Sequence, residues 1–190
     1  MAWLTKEQMR KMGFACFGNN VMLSEKASYY NCKNIRLGDN VRVDDFCVLS
    51  AGTGCIDIGN YIHIAVFSSL IGEGNISLAN FSNISSRVAI YSSNDDYSGA
   101  AMTNPTVPPE FTNVQHADVA IGRHVIIGAG SIILPGVTLE EGVTVGALSL
   151  VKSNCKSYGI YVGVPAKRIG ERKRDLLELE KKLTNSTSSA

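Results

Sequence analysis

The sequence predicts an all-β fold, a parallel β-helix, on three observations. From Ile121 to Leu150 the chain reads IGRHVI, IGAGSI, ILPGVT, LEEGVT, VGALSL when cut every six residues. Each hexad opens on an aliphatic residue (Ile121, Ile127, Ile133, Leu139, Val145), and its fifth residue is small or β-branched (Val125, Ser131, Val137, Val143, Ser149). Glycine is abundant and aromatics are scarce, as a coil with many tight corners requires. A period of six is neither the 3.6 of a helix nor plain alternation. It fits short strands that turn a corner every six residues, three corners closing one coil.

The elements follow in order. Residues 3–13 read as a short helix with Thr5 as N-cap, Gln8 completing a capping box, a Leu4–Met9 staple and Gly13 as the stop. This helix would cover the open strand edges of the first coil. The hexad register then extends upstream. Coils open at Phe17, Leu37, Ile58 and Leu78, and again at Ile121 and Leu139, which makes about six coils. The early coils carry two or three extra residues each, expected near Ile35–Arg36, Cys55–Asp57 and Ile76–Ser77. Cys47 falls on the small inward position and reads as a core thiol.

The register breaks once, over residues 91–119. This stretch holds Pro105, Pro108, Pro109, the adjacent acids Asp95 and Asp96, and the aromatics Tyr97 and Phe111. So long a loop inside a compact fold points to function. After Val151 the coil is expected to end in the Gly/Pro segment SYGIYVGVPAKRIGER. An amphipathic helix follows from Glu171 to Leu183, then a disordered tail. The chain thus divides into a capping helix (1–16), the β-helix with its loop (17–165), and a basic segment, helix and tail (166–190).

Composition excludes several classes. The net charge of +1 carries no nucleic-acid footprint. No apolar run approaches a membrane span. The opening MAWLTKEQMRK lacks the apolar core of a secretion signal. The five cysteines then read as reduced thiols of a cytoplasmic protein.

The hexads, the single long loop, VIIGAGSIILPGVT and GVPAKRI together resemble the hexapeptide-repeat acyltransferases over about residues 17–172. Within that family the chain is similar to the maltose, galactoside and nodulation-sugar acetyltransferases, and to the small acetyltransferases of O-antigen and capsule biosynthesis. The resemblance implies a left-handed β-helix, acetyl-CoA as co-substrate with no metal, and a homotrimer with active sites in the grooves between subunits. It implies a nucleotide-linked or polysaccharide-precursor sugar as acceptor. Gly128, Ala129 and Ala147 match the wall along which the pantetheine arm lies. Lys152 matches a lysine near the coenzyme, and Lys167 and Arg168 match a basic tail that meets its phosphates. The family's catalytic histidine is replaced by Asp95, a departure that leaves the base open.

Acyl transfer needs a nucleophile relieved of its proton and donors for the oxyanion. Backbone N–H groups near Gly128–Ala129 are candidate donors. Asp95, Asp96 and His63 are the candidate catalytic residues. His63 is expected in the turn before Ile64, pointing outward and away from Asp95 in one chain. His116 would lie in a flexible part of the loop and could swing into the groove to take the proton, and His124 would have a packing role. Ser86, Arg87, Tyr97 and Asn104 are candidate sugar or nucleotide contacts. An aspartate in place of the family histidine leans toward N-acetylation, because an amine needs less help from a base than a hydroxyl does. Two other readings stay open: a zinc enzyme that hydrates carbon dioxide through three histidines, and a non-catalytic trimeric scaffold.

Overall fold

The computed structural model describes residues 2–187. The chain winds as a parallel β-helix whose three faces are sheets of short strands. Phe17, Leu37, Ile58, Leu78, Ile121 and Leu139 stand in register down the first sheet. Leu23, Val43, Ile64, Ile84, Ile127 and Val145 do so down the second. Tyr29, Leu49, Leu70, Ile90, Ile133 and Val151 do so down the third. These are the hexad openers, and nearly all are fully buried along the axis. Many outward neighbours are polar or small, such as Arg36, Asp57, His63, Ser77 and Thr144, while the inward residues form one column of aliphatic layers.

The fifth hexad position also points inward. Cys47, Ser68, Ser131 and Ser149 are buried there. The serine hydroxyls donate to carbonyls of the adjoining turn, as Ser131 does to Gly146 O at 2.9 Å, which removes the cost of burying them. The Cys47 thiol is pushed up to about 11 by burial, so it is an inert core thiol. The fourth position lies at the corner and takes the left-handed conformation. Asn40, Tyr61, Phe81 and His124 mark one corner column, and Phe46, Phe67, Arg87 and Leu148 another.

Both ends are covered. Helix α1 (Lys6–Met12) has the expected Thr5–Gln8 capping box and Gly13 at φ 76°. Met9 is buried against the first coil, and Leu4 N–H donates to Leu23 O at 2.8 Å. At the other end the expectation needs correcting. The coil does not stop at Val151: Leu139 bridges to Cys155, and Val145 pairs with Tyr161 in a partial seventh turn. Residues Gly159–Val162 then pair antiparallel with Lys167–Glu171, which closes the exposed edge of the second sheet. The C-terminal helix therefore starts later than expected. Helix α2 spans Leu176–Thr187, because Glu171 is taken by the strand. The expected disordered tail is helical as far as Thr187, and residues 188–190 lie outside the described part.

The extra residues of the early coils are also displaced from their expected places. Ile35, Ile56 and Ile76 are buried strand residues, each two before a hexad opener. The widening lies just upstream, at residues 31–34, 52–55 and 73–75, all at the corner between the third and first sheets. That corner is where the long loop leaves.

Candidate active site

The loop is a structured hairpin rather than a flexible excursion. Ser93–Asn94 pairs antiparallel with Gln115–His116, with Ser93 opposite His116. Asp96 accepts N–H bonds from Ser98 (2.8 Å) and Ala101 (3.0 Å). Asn104 Oδ1 accepts from Thr106 N–H at 2.8 Å. At the return to the coil, Asp118 accepts from Asn75 N–H at 2.8 Å. Side-chain-to-backbone bonds of this kind hold turns that have no ladder of their own.

The hairpin lies over the widened corner and encloses a cleft of about 800 Å³. Its floor is the end of the third sheet (Ser50–Gly52, Ile71–Glu73), and its walls are Ser93–Asp95, Asn104, Pro105, Pro109 and Thr112–Val114, with His116. This is within the range of small-molecule sites, about 300–1,000 Å³. Gly52 is needed on the floor, since a Cβ there would sit 2.4 Å from the Glu73 carboxyl carbon.

Three carboxylates surround this region, and they differ in what they already bind. Glu73 accepts Thr53 N–H at 2.7 Å, and that backbone bond pulls its pKa down. Asp96 is held low by hydrogen bonds from Ser98 and is used inside the loop. Asp95 is half-buried in the cleft wall and has no partner among the described residues. Of the expected pair, Asp95 alone faces the cleft, and Asp96 is a structural residue of the loop. The sequence could not separate them, because only the loop's folding assigns Asp96 its two backbone donors.

The other expected residues are scattered. Asn104 lines the cleft. Tyr97 does not; its side chain is 86% exposed on the outside of the loop. Ser86 and Arg87 sit at the opposite edge of the third sheet from Asp95, so one chain does not bring them together. The Arg87 guanidinium rests on the Phe67 ring at 5.2 Å, and Phe67 stacks on Phe46 at 5.0 Å. Ala129 and Ala147 lie in the corner region beside Leu148, Ala147 exposed and Ala129 half-exposed. Gly128 is smaller than the coenzyme reading requires, for a packing reason: its Cβ would meet Ala147 N at 2.5 Å. Gly128 N–H also donates to Val145 O at 2.8 Å, so it is not an oxyanion donor. Lys152 is exposed. Lys167 and Arg168 belong to the terminal hairpin strand rather than a tail, with Arg168 bonded to Glu171 at 2.8 Å.

The three histidines occupy three separate places. His63 is in the middle of strand Ile62–Ile64 on the second sheet, not in a turn, and points outward as expected. Its Nε2 lies 2.8 Å from Asp44 Oδ2, and Arg42 Nε donates to Asp44 Oδ1 at 2.7 Å. Burial pushes the Asp44 carboxyl up, but the hydrogen bonds from His63 and Arg42 outweigh it and the net shift is downward. Stacking coils on paper would have found this group, because Arg42 and His63 are register partners. His124 stacks on Phe81 at 5.0 Å and its Nε2 lies 2.8 Å from Glu180 of α2, a packing role. His116 is fixed in the hairpin strand and lines the cleft. Ser93 and Glu73 went unseen in the sequence, which carries no motif linking them to His116; His116 was expected within reach of the groove, and it stands in the cleft wall fixed in a strand. Among the described residues no group of three or more His, Cys, Asp or Glu side chains is placed to hold a metal.

A triangular parallel β-helix with one hairpin loop over a cleft at its corner is the architecture of a hexapeptide transferase. The family described as bacterial transferase hexapeptide (six repeats) matches residues 118–153. The chain belongs to the hexapeptide-repeat acyltransferases, since a curated relative shares 58% identity over 95% of this chain and 94% of its own. That relative is the dTDP-4-amino-4,6-dideoxy-D-glucose acyltransferase of Escherichia coli. A similar solved structure is AntD, an N-acyltransferase from Bacillus cereus in complex with dTDP and 3-hydroxybutyryl-CoA. It is 46% identical, with TM-score 0.93 over 98% of both chains. A maltose O-acetyltransferase from Clostridium difficile 630 shares 21% identity and a TM-score of 0.58 over 89% of this chain and 75% of its own, a likeness of fold alone.

Proposed function

We propose that this acyltransferase moves an acetyl group from acetyl-CoA to the amino group of a nucleotide-linked amino sugar, with dTDP-4-amino-4,6-dideoxyglucose as the first acceptor to test. The observation that carries the reading is Asp95, a carboxylate in the cleft wall with no partner among the described residues. Such a group accepts a hydrogen bond from the sugar amine and aims its lone pair at the thioester carbonyl. The amine nitrogen forms the C–N bond, the tetrahedral intermediate collapses, and the C–S bond breaks. The proton shed by nitrogen leaves with the coenzyme thiolate, so no strong base is needed. Support comes from the names of the relatives, one acting on a dTDP-linked 4-amino sugar and one an N-acyltransferase.

The same reading takes the protein as a cytoplasmic homotrimer serving surface-polysaccharide synthesis. A trimer would bring Ser86 and Arg87 of one copy opposite the cleft of the next. The Bacillus cereus protein has been solved with changes at one aspartate and at one serine ten positions before it. Two pairs here have that separation, Ser85–Asp95 and Ser86–Asp96, and only the first includes the cleft carboxylate. Ser85 therefore joins the candidates beside Ser86. Ala129, Ala147, Lys152, Lys167 and Arg168 remain the proposed coenzyme contacts.

The test is a thiol-release assay with acetyl-CoA and 3-hydroxybutyryl-CoA against nucleotide-linked amino and neutral sugars. Turnover of amino acceptors alone is the expected result. Acceptance only of hydroxyl sugars overturns the N-acyl reading, and a sole preference for 3-hydroxybutyryl-CoA overturns the acetyl assignment.

A further inference from the structure

The cleft raises an electrostatic problem. Two carboxylates, Glu73 and Asp95, line it, and no lysine or arginine does so among the described residues. A nucleotide-linked sugar brings a diphosphate. Among the described residues, the one lining side chain able to carry positive charge is His116.

The surroundings of His116 are specific. Ser93 Oγ accepts the Glu73 N–H at 2.8 Å and lies 2.8 Å from His116 Nδ1. With one lone pair used by Glu73, the hydroxyl still has its proton and a second lone pair. It can donate to Nδ1 of a neutral ring, or accept from Nδ1–H of a charged one. In both states Nε2 bears a hydrogen and is a donor. The backbone pairing of Ser93 with His116 fixes this arrangement on a paired strand. Glu73 is close enough to feel the ring, which contributes to holding its carboxyl low after the Thr53 hydrogen bonds. Asp95 lies two residues beyond Ser93 along the same stretch, about 7 Å at strand rise. That is of the order of the span from the anomeric phosphate of a pyranose to the substituent across the ring.

The geometry points to His116 as the phosphate-binding residue of the acceptor site, with Ser93 as its positioning residue. This deepens the nucleotide-sugar reading above and rests on it. Nε2–H donates to the phosphate next to the sugar, while Asp95 receives the amine at the other end of the ring. One wall thus sorts an anionic from a basic group and sets the direction in which the acceptor enters.

The test is calorimetric titration of the protein with dTDP, and separately with thymidine, at one fixed pH. It uses wild type, His116→Gln and His116→Ala. His116→Ala is expected to weaken dTDP by about tenfold or more, the loss of one charged hydrogen bond, and to leave thymidine unchanged. His116→Gln, which keeps a neutral donor, is expected to fall between the two. Equal dTDP affinity in wild type and His116→Ala overturns the assignment, and so does an equal loss with thymidine. A loss of kcat of a hundredfold at unchanged affinity also overturns it, by making His116 the base. A wild-type protein that binds no nucleoside diphosphate at all overturns the acceptor reading itself, an outcome distinct from failure of His116 alone.

Discussion

Replacing Asp95 with asparagine keeps the shape of the cleft wall and removes one charge. The size of the effect follows from where Asp95 sits. At about 3 Å and an effective dielectric of about 20, a full ion pair with an ammonium would have a Coulomb ceiling near 5 kcal/mol. The carboxylate is half-buried and open to water, so the realised value is that of a charged hydrogen bond, about 1.5–3 kcal/mol. This converts to a loss of about 10- to 150-fold in kcat/KM. The assay is the initial rate of thiol release at varied amino-sugar concentration. Asp96→Asn is the matched control, since its carboxylate caps Ser98 and Ala101 within the loop. It should stay within about threefold of wild type, because asparagine keeps an acceptor for the loop and Asp96 does not line the cleft. If Asp95→Asn keeps wild-type kcat/KM, or Asp96→Asn falls further than it does, the placement of the amine is wrong.

Gly128→Ala forces a methyl to within 2.5 Å of Ala147 N in the next coil. Overpacking of this kind costs about 1–3 kcal/mol, so Tm should drop by about 2–12 °C in calorimetry; an unchanged Tm would mean the coils can part freely. Glu140 is held at about 2 by Lys156, with help from Ser157, against an ordinary 4.5. A depressed carboxyl stabilises the fold above pH 4.5 and loses that contribution as pH falls toward 2. Urea titrations should show Glu140→Gln less stable than wild type at pH 7, with the gap closing near pH 2; a gap that stays constant with pH argues against the pair. Glu180→Ala removes the carboxylate from both His124 and Arg123. Amide exchange should then quicken across residues 176–187 while the coils stay protected, and unchanged protection would show that α2 is held by something else.

The register of the whole solenoid was legible because one inward position repeats and its residues have no other use. Phe17, Leu37, Ile58, Leu78, Ile121 and Leu139 fell where the hexads placed them. The widened corner was misplaced because Ile35, Ile56 and Ile76 are a second buried position two residues upstream, which lengthens the strand and pushes the surplus into the turn. The end of the coil was misread because Tyr161, the mate of Val145, does not fall on the six-residue period. Its other neighbour is the returning strand Lys167–Glu171, a pairing that periodicity does not encode. The site was half legible. A long insertion carrying two aspartates marked the place. The choice between Asp95 and Asp96, and the meeting of Ser93 with His116, depend on a hairpin closed across 23 residues. No local pattern announces such a closure.

The stacking of coils also has a bearing on how the molecule fails. Each coil touches only the one above and the one below, so stability passes along the axis as a chain of neighbour interfaces. The turn that launches the loop has three full turns before it, opened at Phe17, Leu37 and Ile58, and two full turns and a partial one after it. Melting would fray inward from both ends, and the cleft, seated at mid-axis, would be among the last regions to open. Under mild denaturant, acceptor binding should therefore outlast the spectroscopic signal of the terminal helices.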